Sequence, residues 1–120
     1  MFEFEKLTVY QKAKSFHKAI LKMLLENEGI NRMTRDQLSR ASLSVVLNIA
    51  EGTSRFTNPS KKNYYVISRG SAFECVAALD ILKDTEIISE LEYDQLYGRA
   101  DELSRMLFKM IRNLELESGG

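Results

Sequence analysis

The amino-acid sequence predicts an all-α fold, an antiparallel up-down-up-down four-helix bundle, and three observations carry that expectation. One proline and six glycines in 120 residues, with Leu, Ala, Lys, Glu and Met plentiful, favour helix over sheet. Apolar residues recur at three- and four-residue steps in four separate stretches. Two capping-box spacings, Thr34 with Gln37 and Ser89 with Glu92, mark helix starts. Helices of roughly 20 to 27 residues joined by short turns pack most simply as such a bundle. A chain of 120 residues is one ordinary domain, so residues 1–120 are read as a single four-helix unit.

The first helix is expected over about Thr8 to Asn27, with Thr8 as its cap and Val9, Ala13, Phe16, Ile20 and Leu24 facing inward. Gly29 suits the left-handed position that closes a helix. The Thr34 capping box starts the second helix at Arg35, and it runs to about Ser54. Asn58 followed by Pro59 looks like a cap and first helical residue, since proline's missing N–H is not needed there. The third helix then spans about Pro59 to Lys83, with Tyr64, Ile67, Ser71, Ala78 and Leu82 inward, and with Gly70, Ser71 and Ala72 small enough for another helix to approach. A turn at Asp84 to Ile88 precedes the fourth helix. Its inward stripe is Leu96, Ala100, Leu103, Leu107, Met110 and Leu114, and the tail from Glu117 to Gly120 is expected to fray.

The second helix is the unusual one. Leu38, Ala41, Val45, Asn48 and Gly52 fall on one stripe, while Leu43, Val46, Leu47 and Ala50 form a second beside it. A helix apolar nearly all round is ordinarily covered all round. One short bundle cannot easily cover both stripes, so Leu43, Val46 and Leu47 are assigned to an interface with a sister chain.

Composition excludes several classes of function. The single Cys75 rules out an intramolecular disulfide, and with one histidine, His17, there is no Cys/His spacing of a zinc site. No metal and no cofactor is expected, and a reducing cytoplasmic setting is the default. The start MFEFEKL lacks a signal pattern, and no apolar run approaches the roughly 18 residues of a membrane span. The protein is therefore expected to be soluble and unprocessed, with no membrane partner. The stretch GTSRFTNPSKK lacks phosphate-loop spacing, and no Ser/His/Asp set, paired-carboxylate site or dinucleotide fingerprint is visible, so no catalytic residue is assigned and the protein is not expected to be an enzyme.

Charge is unevenly distributed although the formal total is zero. Residues 32–69 hold seven Lys/Arg and two Asp/Glu, whereas residues 70–120 hold five and eleven. A basic and an acidic surface are expected, able to pair between subunits or with a charged ligand. Arg35, Arg55, Lys61, Lys62 and Arg69, interleaved with Phe56, Tyr64 and Tyr65, are candidates for phosphate contact, the rings being able to stack on bases. The opposing reading is that these cations are solvated or paired with acids. Arg40, Ser44, Asn48 and Glu51 form a polar line along the second helix, with Arg69 and Glu74 on the third as candidates to reach Glu51 and Arg40. Such a line is read chiefly as a structural network that fixes helix register. Cys75 is read as a small buried residue rather than a reactive thiol.

The run QLSRASLSVVLNIAEGTSR, preceded by LTVYQKA at Leu7 to Ala13 and followed by RGSAFE at Arg69 to Glu74, resembles the bacterial 23S rRNA intervening-sequence proteins. Arg40-Ala41, Ser44, Asn48-Ile49-Ala50-Glu51-Gly52 and Arg55 carry most of it, with Gly70-Ser71 and Glu74 adding to it. That family is similar in fold to the accessory variability proteins of diversity-generating retroelements. The resemblance implies a four-helix protomer in a homopentameric ring, with a basic surface for RNA or DNA or for a reverse-transcriptase-type partner. The chain departs from the family pattern before the second helix, where EGINRMTRD stands in place of a proline-containing segment.

Overall fold

The computed structural model describes residues 1–117, which hold four α-helices and no strand. A short 3-10 turn, Glu3–Lys6, leads into α1 (Thr8–Glu26), followed by α2 (Arg32–Thr53), α3 (Asn58–Asp84) and α4 (Glu90–Glu117). The body measures 48 × 28 × 22 Å. Of the expected frayed tail, Glu117 is the last residue of α4 and the rest lies outside the described residues.

α1 buries Val9, Ala13, Phe16, Ile20 and Leu24, the expected stripe, and adds Met23. Its start differs by one residue. Leu7 is the cap and Thr8 the first helical residue, with no side-chain capping bond, because the 3-10 turn feeds the helix directly: Phe4 O accepts from Leu7 N at 3.1 Å and Leu7 O from Gln11 N at 3.2 Å. Gly29 does not take the left-handed role either. The non-glycine residue with positive φ is Glu86 (φ 60°), in the α3–α4 turn, where the amides of Glu86 and Ile87 return to Lys83 O and Leu82 O at 3.0 and 2.9 Å. That pattern closes α3 by satisfying its last carbonyls.

α2 begins three residues before the expected Arg35. Asn31 is the cap, its side chain accepting from Thr34 N at 2.8 Å, so Thr34 is the third residue of the helix rather than its cap. α3 is capped by Thr57, whose Oγ1 accepts from Ser60 N at 3.2 Å, which places Asn58 and Pro59 both inside the first turn. The Ser89 capping box forms as expected: Ser89 Oγ accepts from Glu92 N at 3.1 Å and Glu92 Oε1 from Ser89 N at 3.3 Å.

The inward face of α3 is turned by one residue from the expected one. Tyr65, Ser68, Ala72, Cys75, Leu79 and Leu82 are buried, whereas Ile67 is half exposed and Tyr64, Ser71 and Ala78 are only partly covered. The run Tyr64-Tyr65-Val66-Ile67 is apolar on several sides, so spacing alone leaves two phases open. Small residues decide between them. Ser68, Ala72 and Cys75 let α2 and α3 approach closely, and the bulkier phase is turned outward.

The core joins all four helices, centred on Phe16, Ile20, Leu38, Val45, Ile49, Leu79, Leu103 and Leu107, each fully enclosed. On α4, Leu96, Ala100, Leu103 and Leu107 are buried as expected, Ile111 continues the buried line, and Met110 and Leu114 pack against the core only partly covered. Contacts are most extensive between α2 and α3 and between α3 and α4, and thinnest between α1 and α4.

Candidate assembly and nucleic-acid interface

The α2–α3 seam holds the polar line of α2, and its inner part is closed. Ser68 Oγ donates to Val45 O at 2.8 Å in full burial. At Gly52 the helices touch: a Cβ there would lie 2.5 Å from Tyr65 Cε1, closer than real side-chain atoms come. Enclosure of Tyr65 raises its phenol pKa by desolvation. One step outward, the Ser44 and Ser71 hydroxyls meet at 2.8 Å, and Asn48 Nδ2 donates to Ser44 O and Oγ at 2.9 and 3.0 Å. The Ser44–Ser71 and Ser68–Val45 bonds cross between the two helices and fix their relative height, while the Asn48 bonds stay within α2. Arg40 and Glu74, by contrast, are exposed and make no hydrogen bond or ion pair among the described residues. The expected Arg40–Glu74 and Arg69–Glu51 contacts do not form. Glu51 instead pairs with Arg55 on its own helix at 2.9 Å.

Each of the five cations assigned to phosphate has a partner inside the protomer. The Arg35 guanidinium donates to Leu24 O, to Asn27 O at 2.6 Å and to Ile30 O at 3.0 Å, capping the C-terminus of α1 where the glycine was expected to act. Arg35 is thus fixed by local structure. Arg55 pairs with Glu51, donates to Tyr64 Oη at 2.6 Å, and lies 4.5 Å from the centre of the Tyr64 ring, with its Nε sealed from solvent and without a partner among the described residues. Lys61 Nζ donates to Thr53 O at 3.2 Å, closing the end of α2, and Lys62 pairs with Glu115 at 3.0 Å. Arg69 Nε donates to Ser104 O at 3.2 Å, and its guanidinium stacks over Phe73 and Phe108 at 4.7 and 5.5 Å. Arg55, Lys61 and Lys62 do share one end of the molecule, where α2 stops and α3 begins, and each stays partly exposed. Of the seven cations in residues 32–69, Arg32 and Arg40 are without a partner among the described residues, and both stand on the outer side of α2.

The three residues assigned to a subunit interface separate. Leu43 and Leu47 are 41% and 55% exposed, while Val46 is at 6% and belongs to the protomer's own core. One residue at helical pitch turns a side chain by about 100°, enough to carry Val46 from the outer to the inner face. α3 adds outward Val66, Ile67, Phe73 and Ile81, each about half exposed or more. Gly70 sits among them, and a Cβ there would meet nothing within 4 Å. Between α3 and α4 runs a groove of about 400 Å³ with a floor of Ala72, Val76 and Ala100, aromatic walls from Phe73, Tyr93 and Tyr97, and carboxylates from Asp80 and Asp101.

Sequence reasoning missed the interhelical bond of His17. Its Nδ1 lies 2.7 Å from Ser42 Oγ, a hydroxyl with no solvent exposure that also donates to Ser39 O at 3.3 Å. Burial lowers the imidazole pKa. The signal was present in the spacing, since Ser42 falls on the inward stripe of α2, but no sequence pattern links positions 25 residues apart. Cys75 is fully buried, and desolvation, with the charge of Glu74 adding to it, pushes its thiol up to about 12, far from reactive. Among the described residues no group of three or more His, Cys, Asp or Glu could hold a metal ion, and no helix is long and apolar enough to cross a membrane.

The sequence model for the 23S rRNA-intervening sequence protein family matches residues 5–109. No curated protein matches the sequence. Among solved structures, the chain is similar to a protein of unknown function from the S23 ribosomal protein family of Bacteroides thetaiotaomicron, with a TM-score of 0.80 and 23% identity over 87% of this chain and 98% of that one. At that identity the likeness concerns the fold.

Proposed function

This chain belongs to the 23S rRNA-intervening sequence protein family, and from that premise we propose that it is a non-enzymatic, ring-forming scaffold assembled from copies of itself in the cytoplasm. The observation that carries the reading is the outer face of α2, where Leu43 and Leu47 remain exposed in mid-helix beside Arg40. Full burial of one leucine is worth about 1.5–3 kcal/mol, so covering this face with a sister chain would drive association. A homopentamer is the ring size the family resemblance implies. Within each protomer the helices are taken as an antiparallel up-down-up-down bundle. Pairs in which one number rises as the other falls support that order: Ser44 with Ser71 and Arg55 with Tyr64, Arg69 with Ser104 and Lys62 with Glu115, Lys12 with Glu102 and Asn27 with Glu92. Sedimentation at micromolar concentration tests the assembly. A species several times 13.8 kDa is expected, and a stable lone protomer overturns the reading.

Nucleic-acid contact is the second reading, favoured by the family's association with ribosomal RNA and by the grouping of Arg55, Lys61 and Lys62 at one end of the bundle. Lys61 and Lys62 are held by a backbone carbonyl and an exposed acid, and an exposed ion pair is worth about 0–1 kcal/mol, so phosphate can displace those partners; Arg55, bound also to the Tyr64 hydroxyl and ring, is the most firmly held of the three. A ring would repeat the group around its axis and multiply a weak contact. A reverse-transcriptase-type protein would be a further partner of such a ring. Titration with RNA and DNA at two salt concentrations decides it. Binding that weakens steeply with salt and is lost in Lys61→Glu/Lys62→Glu supports contact, and no binding at low salt leaves a protein-only assembly.

A further inference from the structure

The assembly reading does not say which faces meet, and the charges and shapes of the protomer do. Arg32 and Arg40, the cations of the basic segment without a partner among the described residues, lie on the outer side of α2 together with Leu43 and Leu47. That side is an apolar strip with two arginines eight residues apart, about 12 Å along the helix axis. The α3–α4 groove has the opposite character. Its centre is apolar, formed by Phe73 and Tyr97 over a floor of alanines, with Asp80 on its α3 side and Asp101 on its α4 side. Asp80 already pairs with Lys83 at 3.4 Å, whereas Asp101 is held only by an exposed pair with Arg105 on its own helix at 3.1 Å. Gly98, three residues before Asp101 on α4, has open space where a Cβ would be. A mid-helix glycine costs about 1 kcal/mol relative to alanine in water, and here it leaves room for another backbone to come close.

Resting on the assembly reading above, we propose that the outer face of α2 in one copy seats in the α3–α4 groove of the next. Leu43 and Leu47 fill the apolar centre against Phe73 and Tyr97, and Arg40, about 4.5 Å along the helix axis from Leu43, meets Asp101. A cation of the basic segment thereby meets a carboxylate of the acidic segment between copies. The two faces are different surfaces of the protomer, so the contact is head-to-tail. A head-to-tail contact does not close on itself as a two-fold dimer does; it propagates until the rotation per subunit brings the last copy back to the first.

Charge exchange tests this by sedimentation equilibrium of the full chain, with circular dichroism to confirm the fold of each variant. Arg40→Glu alone and Asp101→Arg alone should each raise the dissociation constant between protomers at least tenfold. Combined in one chain, which restores opposite charges across every contact, they should return it to within about threefold of the parent. A second measurement does not depend on those variants folding well. Leu43→Cys and Ala77→Cys in one chain should give, on oxidation, a ladder of covalent multiples on a non-reducing gel, the natural Cys75 being fully buried and unreactive. A parent that sediments at 13.8 kDa overturns the assembly reading and this contact with it. A parent ring unaffected by both reversals, a combined variant that does not recover, or an absent ladder overturns the contact alone.

Discussion

Ile49 and Leu47 stand two positions apart on α2, are close in size, and meet opposite surroundings: Ile49 has no solvent exposure, while Leu47 is 55% exposed. The same contrast holds for the glycines of the α2–α3 pair. A Cβ on Gly52 would press into the Tyr65 ring, whereas one on Gly70 would meet nothing. The inner side is finished within the protomer, its serines bonded to Val45 O and His17. The outer side has apolar residues of the same kind left about half exposed, Leu47 bordering an open groove with Phe2, Phe4 and Tyr64. Residue type therefore says that a side chain is suited to burial, and only its angular position says whether its own protomer or another chain provides it.

The comparison can be broken from the inside first. Ile49→Ala should destabilise the fold by about 2–5 kcal/mol, the range for removing an enclosed aliphatic side chain, measured by urea denaturation; a loss below 1 kcal/mol would mean that the core is looser than the packing indicates. Gly52→Ala comes next. The added methyl must displace a buried ring, and the expected net cost is about 1–3 kcal/mol, despite alanine's better helix propensity. Its outer counterpart has the opposite sign: Gly70→Ala should stabilise the dilute protomer by about 0.5–1 kcal/mol, and a loss of stability there would place something against α3 that the protomer does not contain.

Leu47→Ala sharpens the contrast with Ile49. Protomer stability should change by no more than about 0.5 kcal/mol, while the assembled fraction in sedimentation falls. If the melting temperature drops as far as it does for Ile49→Ala, the two sides of the helix are not different in kind. The smallest effect belongs to His17. Its pKa is lowered from 6.5 by burial, so the unfolded chain binds a proton there more readily than the folded one. Its contribution is complete above pH 6.5, diminishes as pH falls through 6.5 toward the lowered folded value, and levels off below that. In His17→Gln that component of the acid-side slope should vanish. An unchanged slope would mean that the imidazole titrates freely beside Ser42.

Much of the fold was legible because three of the four inward faces are amphipathic. α1 and α4 give one strong apolar stripe each, and α2 is correct along Leu38, Ala41, Val45 and Gly52. α3 was misphased because it is apolar on several sides, and the choice between phases lies in how closely α2 can approach. Caps were off by one to three residues where two polar candidates stood near each other, as with Asn31 and Thr34 or Thr57 and Asn58. The candidate site was less legible. A list of basic residues does not reveal that Arg35 closes α1 or that Lys61 closes α2, because those acceptors are backbone carbonyls and leave no mark in composition.

Helix content, helix number and the split between basic and acidic segments follow from the sequence by itself, since propensity, spacing and charge are properties of the chain read in order. Tertiary structure alone decided that Val46 is inside and Leu43 outside, that Arg55 finds Tyr64 while Arg40 finds no partner among the described residues, and that carboxylates border an apolar groove between α3 and α4. The physical reason is angular. Each residue turns its side chain by about 100° around a helix, so a single step of phase, fixed only when helices pack, exchanges what a protomer covers for what it offers to others.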